Sequence, residues 1–136
     1  EEYCGNDASQ GRTFEQIRDK KIAIWAKLRA RGIKKLFTQT TSPRTSSTDQ
    51  WVTLENQTPL AGTTAVQQMN AWLRSGADGL VDGVFDLAAL VEEGTTGKWK
   101  VNGTPNYLNI DTTHYNAVGH ALLGSALRDF LVSKQL

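Results

Sequence analysis

Three stretches with amphipathic helical spacing, separated by only two short strand-like runs, constrain the fold of this 136-residue chain more than any other feature. Thr13 and Gln16 form a capping box ahead of Phe14, Ile17, Ile24, Trp25 and Leu28, an apolar stripe at helical spacing that Gly32 ends. Ile33 to Thr38 follows as a short strand. Ala65, Val66, Met69 and Leu73 mark a second helix, capped near Thr63 or Thr64 and closed by Gly76, with Trp72 in its flank. Val81 to Asp86 is the second strand, and Leu87 to Glu93 adds a helical turn. A final helix, roughly Tyr115 to Ser133, carries Val118, Leu122, Ala126, Leu127 and Phe130 as its apolar face. Gly119 and Gly124 weaken that helix by about 1 kcal/mol each, which points to close packing on a sheet.

Helix, strand, helix, strand, helix is the order of a parallel α/β sheet. A doubly wound sheet, however, needs roughly five strands to cover such helical faces. The mismatch predicts that a lone copy exposes apolar helix surface. A complementary N-terminal segment, a second chain or a swapped homo-oligomer is then expected to cover it. The opening Glu1 to Asp7 carries the same message, because Gly5-Asn6-Asp7 has the composition of a turn that closes a strand and little chain precedes it. The whole span, 1–136, reads as one partial domain without internal repeats. Within it, 38–64 is a long polar loop and Gly94 to Leu108 a surface loop or small hairpin.

Fifteen basic against fourteen acidic residues, without basic blocks interleaved with aromatics, argue against nucleic-acid binding. No apolar run has the length of a membrane helix, and no signal-peptide pattern opens the chain. Cys4 is the one cysteine, so an intrachain disulfide is excluded. His114 and His120 lie six apart, about 240° around a helix, which disfavours a shared metal. No Gly-rich phosphate loop follows a strand. Neither a metal nor an organic cofactor is expected.

Asp111-Thr112-Thr113-His114 sets a carboxylate three residues before a histidine, in the loop that launches the last helix. In a turn this spacing brings the side chains together. The Asp then fixes the imidazole tautomer and leaves the other ring nitrogen to take a proton from a nucleophile. The same Asp also suits a helix cap. Gly5-Asn6-Asp7 in turn offers the Asn6 amide as a donor to a developing oxyanion.

Together, Gly-Asn-Asp and, about a hundred residues later, Asp-x-x-His-x-Asn-x-x-Gly resemble the SGNH (GDSL-type) hydrolase family, from Cys4 to about Leu131. The resemblance implies a flavodoxin-like α/β fold with a parallel sheet between helices. This chain would supply its later part, about two core strands and three main helices. It also implies a serine esterase in which His114 is the general base, Asp111 orients it, Asn6 donates to the oxyanion and Gly5 lets the backbone approach substrate. The Gly-Asp-Ser block that carries the family's nucleophile has no counterpart here. Ser9 stands outside such a context, Cys4 has no neighbouring cation in sequence to lower its pKa, and His120 reads as a packed or exposed helix histidine. The expected function is therefore the C-terminal half of an esterase acting on acyl esters, with its Ser on another segment or chain. Trp51 and Trp99 tilt the substrate towards acetylated carbohydrate, and the family towards a secreted or periplasmic setting. The alternative is a catalytically inactive module that binds a glycan or protein through the 38–64 loop or the Trp99 region.

Overall fold

The computed structural model describes residues Cys4–Gln135. The chain has an α/β fold whose small parallel sheet and several helices are consistent with part of a flavodoxin-like arrangement. In order it forms α1 (Gly5–Ser9), α2 (Phe14–Ala30), β1 (Phe37–Gln39), β2 (Thr45–Ser47), β3 (Gln57–Pro59) and α3 (Thr63–Arg74). A 3-10 turn (Ala77–Gly79), β4 (Gly83–Phe85), α4 (Leu87–Val91) and α5 (Ala117–Ser133) complete it. These elements fall into two compact units. One holds the described residues up to Thr41 together with Ala61–Asp86, the other Ser42–Leu60 and the described residues from Leu87 onward.

In the first unit, β1 and β4 run parallel, with Phe37 opposite Gly83 and Gln39 opposite Phe85. This is the strand pair expected from the sequence, each shortened at its start. The strand expected before Gly5 lies, apart from Cys4, outside the described residues. Gly5-Asn6-Asp7 itself is not an open turn but the first part of α1. The α2 capping box forms as expected, the Thr13 hydroxyl accepting from the Gln16 N–H at 3.4 Å and the Gln16 side chain accepting from the Thr13 N–H at 3.2 Å. The cap of α3 is Gly62 rather than Thr63 or Thr64. Its φ is +89°, and a Cβ there would stand 2.4 Å from the Ala8 carbonyl oxygen, so glycine is required where α1 crosses the start of α3.

Ile17, Trp25, Met69, Leu73 and Ala77 form the heart of this unit's core. Trp72 stacks on Trp25 at 5.6 Å between ring centroids. Buried Asn70 closes the unit by a reciprocal pair, accepting from the Thr41 N–H at 2.7 Å and donating to the Thr41 carbonyl at 2.8 Å. A groove of about 590 Å³ runs along α2, lined by Asp7, Arg12, Ile17, Lys20 and Ile24 among others. It contains neither Asp111 nor His114.

In the second unit, the stretch read as an aperiodic loop holds the antiparallel hairpin β2–β3, with Thr45 opposite Pro59 and Ser47 opposite Gln57. Side-chain amides rather than apolar alternation hold it. The buried Gln57 side chain donates to the Trp99 carbonyl and accepts from the Trp99 N–H, both at 2.9 Å. Asp49 organises the hairpin loop by accepting from Ser47, Thr53 and Asn56 side chains and from the Val52 and Thr53 amides. The Trp99 region, expected as a surface loop or small hairpin, pairs Trp99 antiparallel with Glu92 and exposes 94–96 and 102–105, but Trp99 itself is fully buried and meets the Tyr115 ring edge-on at 5.5 Å. Trp51 is half-buried, its indole N–H donating to Thr45 at 2.7 Å. Both tryptophans serve packing, which removes the observation that favoured carbohydrate.

The long helix α5 buries a different stripe from the one expected. Gly119 and Leu123 are its buried residues, Ala126 and Phe130 are half-buried, and Val118, Leu122, Leu127 and Val132 are 54%, 37%, 38% and 66% exposed. A helix apolar around most of its circumference ordinarily lies inside a larger core. Of its two glycines, only Gly119 is packed: a Cβ there would meet the Leu108 carbonyl oxygen at 2.3 Å, whereas at Gly124 it would meet nothing within 4 Å. Among the described residues no helix is long and apolar enough to cross a membrane.

Candidate active site: the Asp111–His114 turn

A narrow turn carries both residues. Asn109 and Tyr115 pair across its base, the Ile110 N–H donates to the His114 carbonyl at 2.9 Å, and the Asn116 N–H donates to the Leu108 carbonyl at 3.1 Å. Immediately afterwards α5 begins, and its cap is Asn116, whose side chain accepts from the Gly119 N–H at 2.9 Å. Asp111 is thus free of the capping role open to it in the sequence. The Asn116 amide also donates to the Asn106 carbonyl and, at 3.2 Å, to the Tyr107 carbonyl. These bonds tie the preceding loop to the helix start.

Within the turn, one carboxylate oxygen of Asp111 accepts from the Thr113 N–H at 2.7 Å and the His114 N–H at 2.8 Å. The other lies 2.8 Å from His114 Nδ1. The His114 amide, the His114 ring and the Thr113 amide together hold the Asp111 carboxyl down to about 2, so it is ionised at neutral pH. An ionised carboxylate only accepts, so Nδ1 of a neutral His114 must carry the proton and Nε2 the lone pair. The His114 side chain is 72% exposed, and no hydroxyl or thiol among the described residues is hydrogen-bonded to it. The arrangement is an oriented base open to solvent, able to take a proton from a nucleophile presented to Nε2.

Gly5 and Asn6 open α1 in the first unit, Asn6 exposed and its carbonyl accepting from the Ser9 hydroxyl at 2.8 Å. That bond ties Ser9 to its own helix and gives it no base. Cys4 is fully buried, and burial pushes its thiol up from the usual range, the reverse of an activated thiolate. His120 is exposed on α5 and meets the Tyr115 ring edge-on at 5.5 Å. No group of three or more His, Cys, Asp or Glu side chains able to hold a metal stands among the described residues. Asn109 escaped the sequence reading, and Asn116 entered it only as part of the Asp-x-x-His-x-Asn-x-x-Gly motif without a role, because an Asn in a loop signals a turn without saying what its amide will hold.

No protein-family model matches the chain, and a comparison with curated proteins finds no match. Among solved structures, it is similar to a protein of Streptococcus pneumonia described provisionally as a platelet activating factor, with a TM-score of 0.64 at 15% identity. The match takes in 93% of this chain and 55% of that one, so the chain spans little more than half the length of the structure it resembles. At that identity the likeness establishes a shared fold.

Proposed function

We propose that these residues form the base-bearing half of an SGNH-type serine esterase. The observation that carries the reading is the Asp111–His114 pair, a carboxylate ionised at neutral pH and 2.8 Å from the ring nitrogen it fixes. In the proposed reaction a Ser on a further segment or chain attacks an ester carbonyl as His114 Nε2 takes its proton. Asp111 stabilises the imidazolium. Asn6 is assigned the oxyanion donor, a role worth roughly 3 kcal/mol where one such donor has been removed. His114 then returns the proton to the leaving alcohol, and water releases the acyl group by the reverse sequence.

Two further observations support a missing complement. The structural neighbour has 45% of its chain, 100 less the 55% covered, without a counterpart here. Around α5, Val118, Leu122 and Val132 are exposed, as a helix is when the polypeptide that would cover it is absent. The acyl chain and the alcohol of the substrate stay unassigned. Hydrolysis of p-nitrophenyl acetate by the assembled protein tests the reading. His114→Ala should lower turnover at least about 100-fold, the usual contribution of a positioned base, and unchanged turnover would remove the proposal.

A further inference from the structure

We propose that Asn109 is a positioning residue that holds the peptide carrying Asp111 and thereby fixes the His114 tautomer, an inference that rests on the pair proposed above. Asn109 is 1% exposed and stands at the base of the turn, opposite Tyr115. Its amide donates to the Asp111 backbone carbonyl at 2.7 Å. The other bonds of the turn act elsewhere: the Leu108–Asn116 and Ile110–His114 contacts close its base, the Thr45 N–H donates to the Thr112 carbonyl at 3.3 Å and Arg44 Nε to the Thr113 hydroxyl at 3.3 Å, and the Thr113 and His114 amides grip the Asp111 carboxylate. Only the Asn109 bond, among these, runs from a buried side chain to the peptide between Asp111 and Thr112.

The consequence follows from the exposure of the two residues it serves. Asp111 and His114 side chains are 47% and 72% exposed, so little packing restrains them. The turn must therefore be held from its backbone. Released by Asn109, the Asp111–Thr112 peptide can rotate about the flanking single bonds, and the carboxylate leaves Nδ1. Water then satisfies both ring nitrogens, and the neutral imidazole divides between its two tautomers.

The test is NMR of the full 136-residue chain with nitrogen-labelled histidine rings, at a pH where the rings are neutral, with His120 as the internal reference. Wild type should show His114 as a single Nδ1-protonated species. Asn109→Leu, close in size but unable to donate, should convert it to a mixture while backbone amide shifts outside the turn stay in place. Asn109→Asp, isosteric and without an N–H donor, should do the same and serves in its place if Asn109→Leu does not fold. Asp111→Ala marks the fully released state. Retention of the single Nδ1-protonated form in both Asn109 variants overturns the positioning role and leaves the Asp111–His114 pair standing. A wild-type His114 protonated at Nε2 overturns the pair itself, and the Asn109 role with it.

Discussion

Replacing Gly119 by alanine should destabilise the chain, whereas the same change five residues later, at Gly124, should stabilise it. In isolation either substitution gains about 1 kcal/mol of helix propensity. At Gly124 nothing opposes the gain, because a Cβ there has no neighbour within 4 Å. At Gly119 the Cβ would stand 2.3 Å from the Leu108 carbonyl oxygen and 3.2 Å from Tyr115 Cβ and Cδ1. Leu108 must move, yet its carbonyl accepts the Asn116 N–H at 3.1 Å at the base of the Asp111–His114 turn. Overpacking costs about 1 to 3 kcal/mol, and a strained or broken hydrogen bond adds about 1 kcal/mol. Offset by the propensity gain, the net loss is about 1 to 3 kcal/mol, so the two variants should differ by about 2 to 4 kcal/mol. Urea unfolding followed by circular dichroism should separate their midpoints by about 1 M or more, given slopes of roughly 1 to 3 kcal/mol per molar. Equal midpoints, or a more stable Gly119→Ala, would refute the packing of α5 against Leu108 described above.

Asn116→Ala removes a cap and two bonds to the preceding loop, so it should cost about 2 kcal/mol and sharpen proteolysis near Asn106. Titration of the Asp111 carboxyl, followed by carbon NMR, should show a midpoint at about 2 in the folded chain. Since the folded value lies below the unfolded one of roughly 4, the associated stability is complete above that pH and lost as pH falls through about 2. Cys4, fully buried with its thiol pushed up, should resist alkylation in buffer and react only as urea opens the first unit. Ready labelling of the native chain would contradict that burial.

What the sequence disclosed follows the range of the interactions involved. The α2 capping box and the Asp111–His114 bond join residues three apart, and local spacing announces them. The parallel pair β1–β4 was legible as two strand-like runs, because β-branched and aromatic residues stand in both. The hairpin β2–β3 was not, since Thr45, Ser47 and Gln57 alternate no hydrophobicity and their register is set by a Gln57 clasp on a residue 42 positions away. The α3 cap was misplaced for the same reason: Gly62 answers to Ala8, a tertiary neighbour. On α5 the apolar residues cover most of the circumference, so periodicity could not select the buried stripe. Gly119, small enough to meet Leu108, defines it. Asn6 and Gly5 were identified by resemblance, and their position at the start of α1 shows a helix where a turn was expected.

The most direct test of the central claim is to trap the nucleophile. The assembled native protein would be treated with a fluorophosphonate, and its polypeptides weighed intact and mapped by peptide mass spectrometry. A single adduct is expected on a Ser within a Gly-Asp-Ser segment that is not among these 136 residues, formed at least about 100-fold more slowly with His114→Ala. An adduct on Ser9, labelling that ignores His114, or a lone 15.0 kDa species that neither labels nor hydrolyses p-nitrophenyl acetate would contradict it.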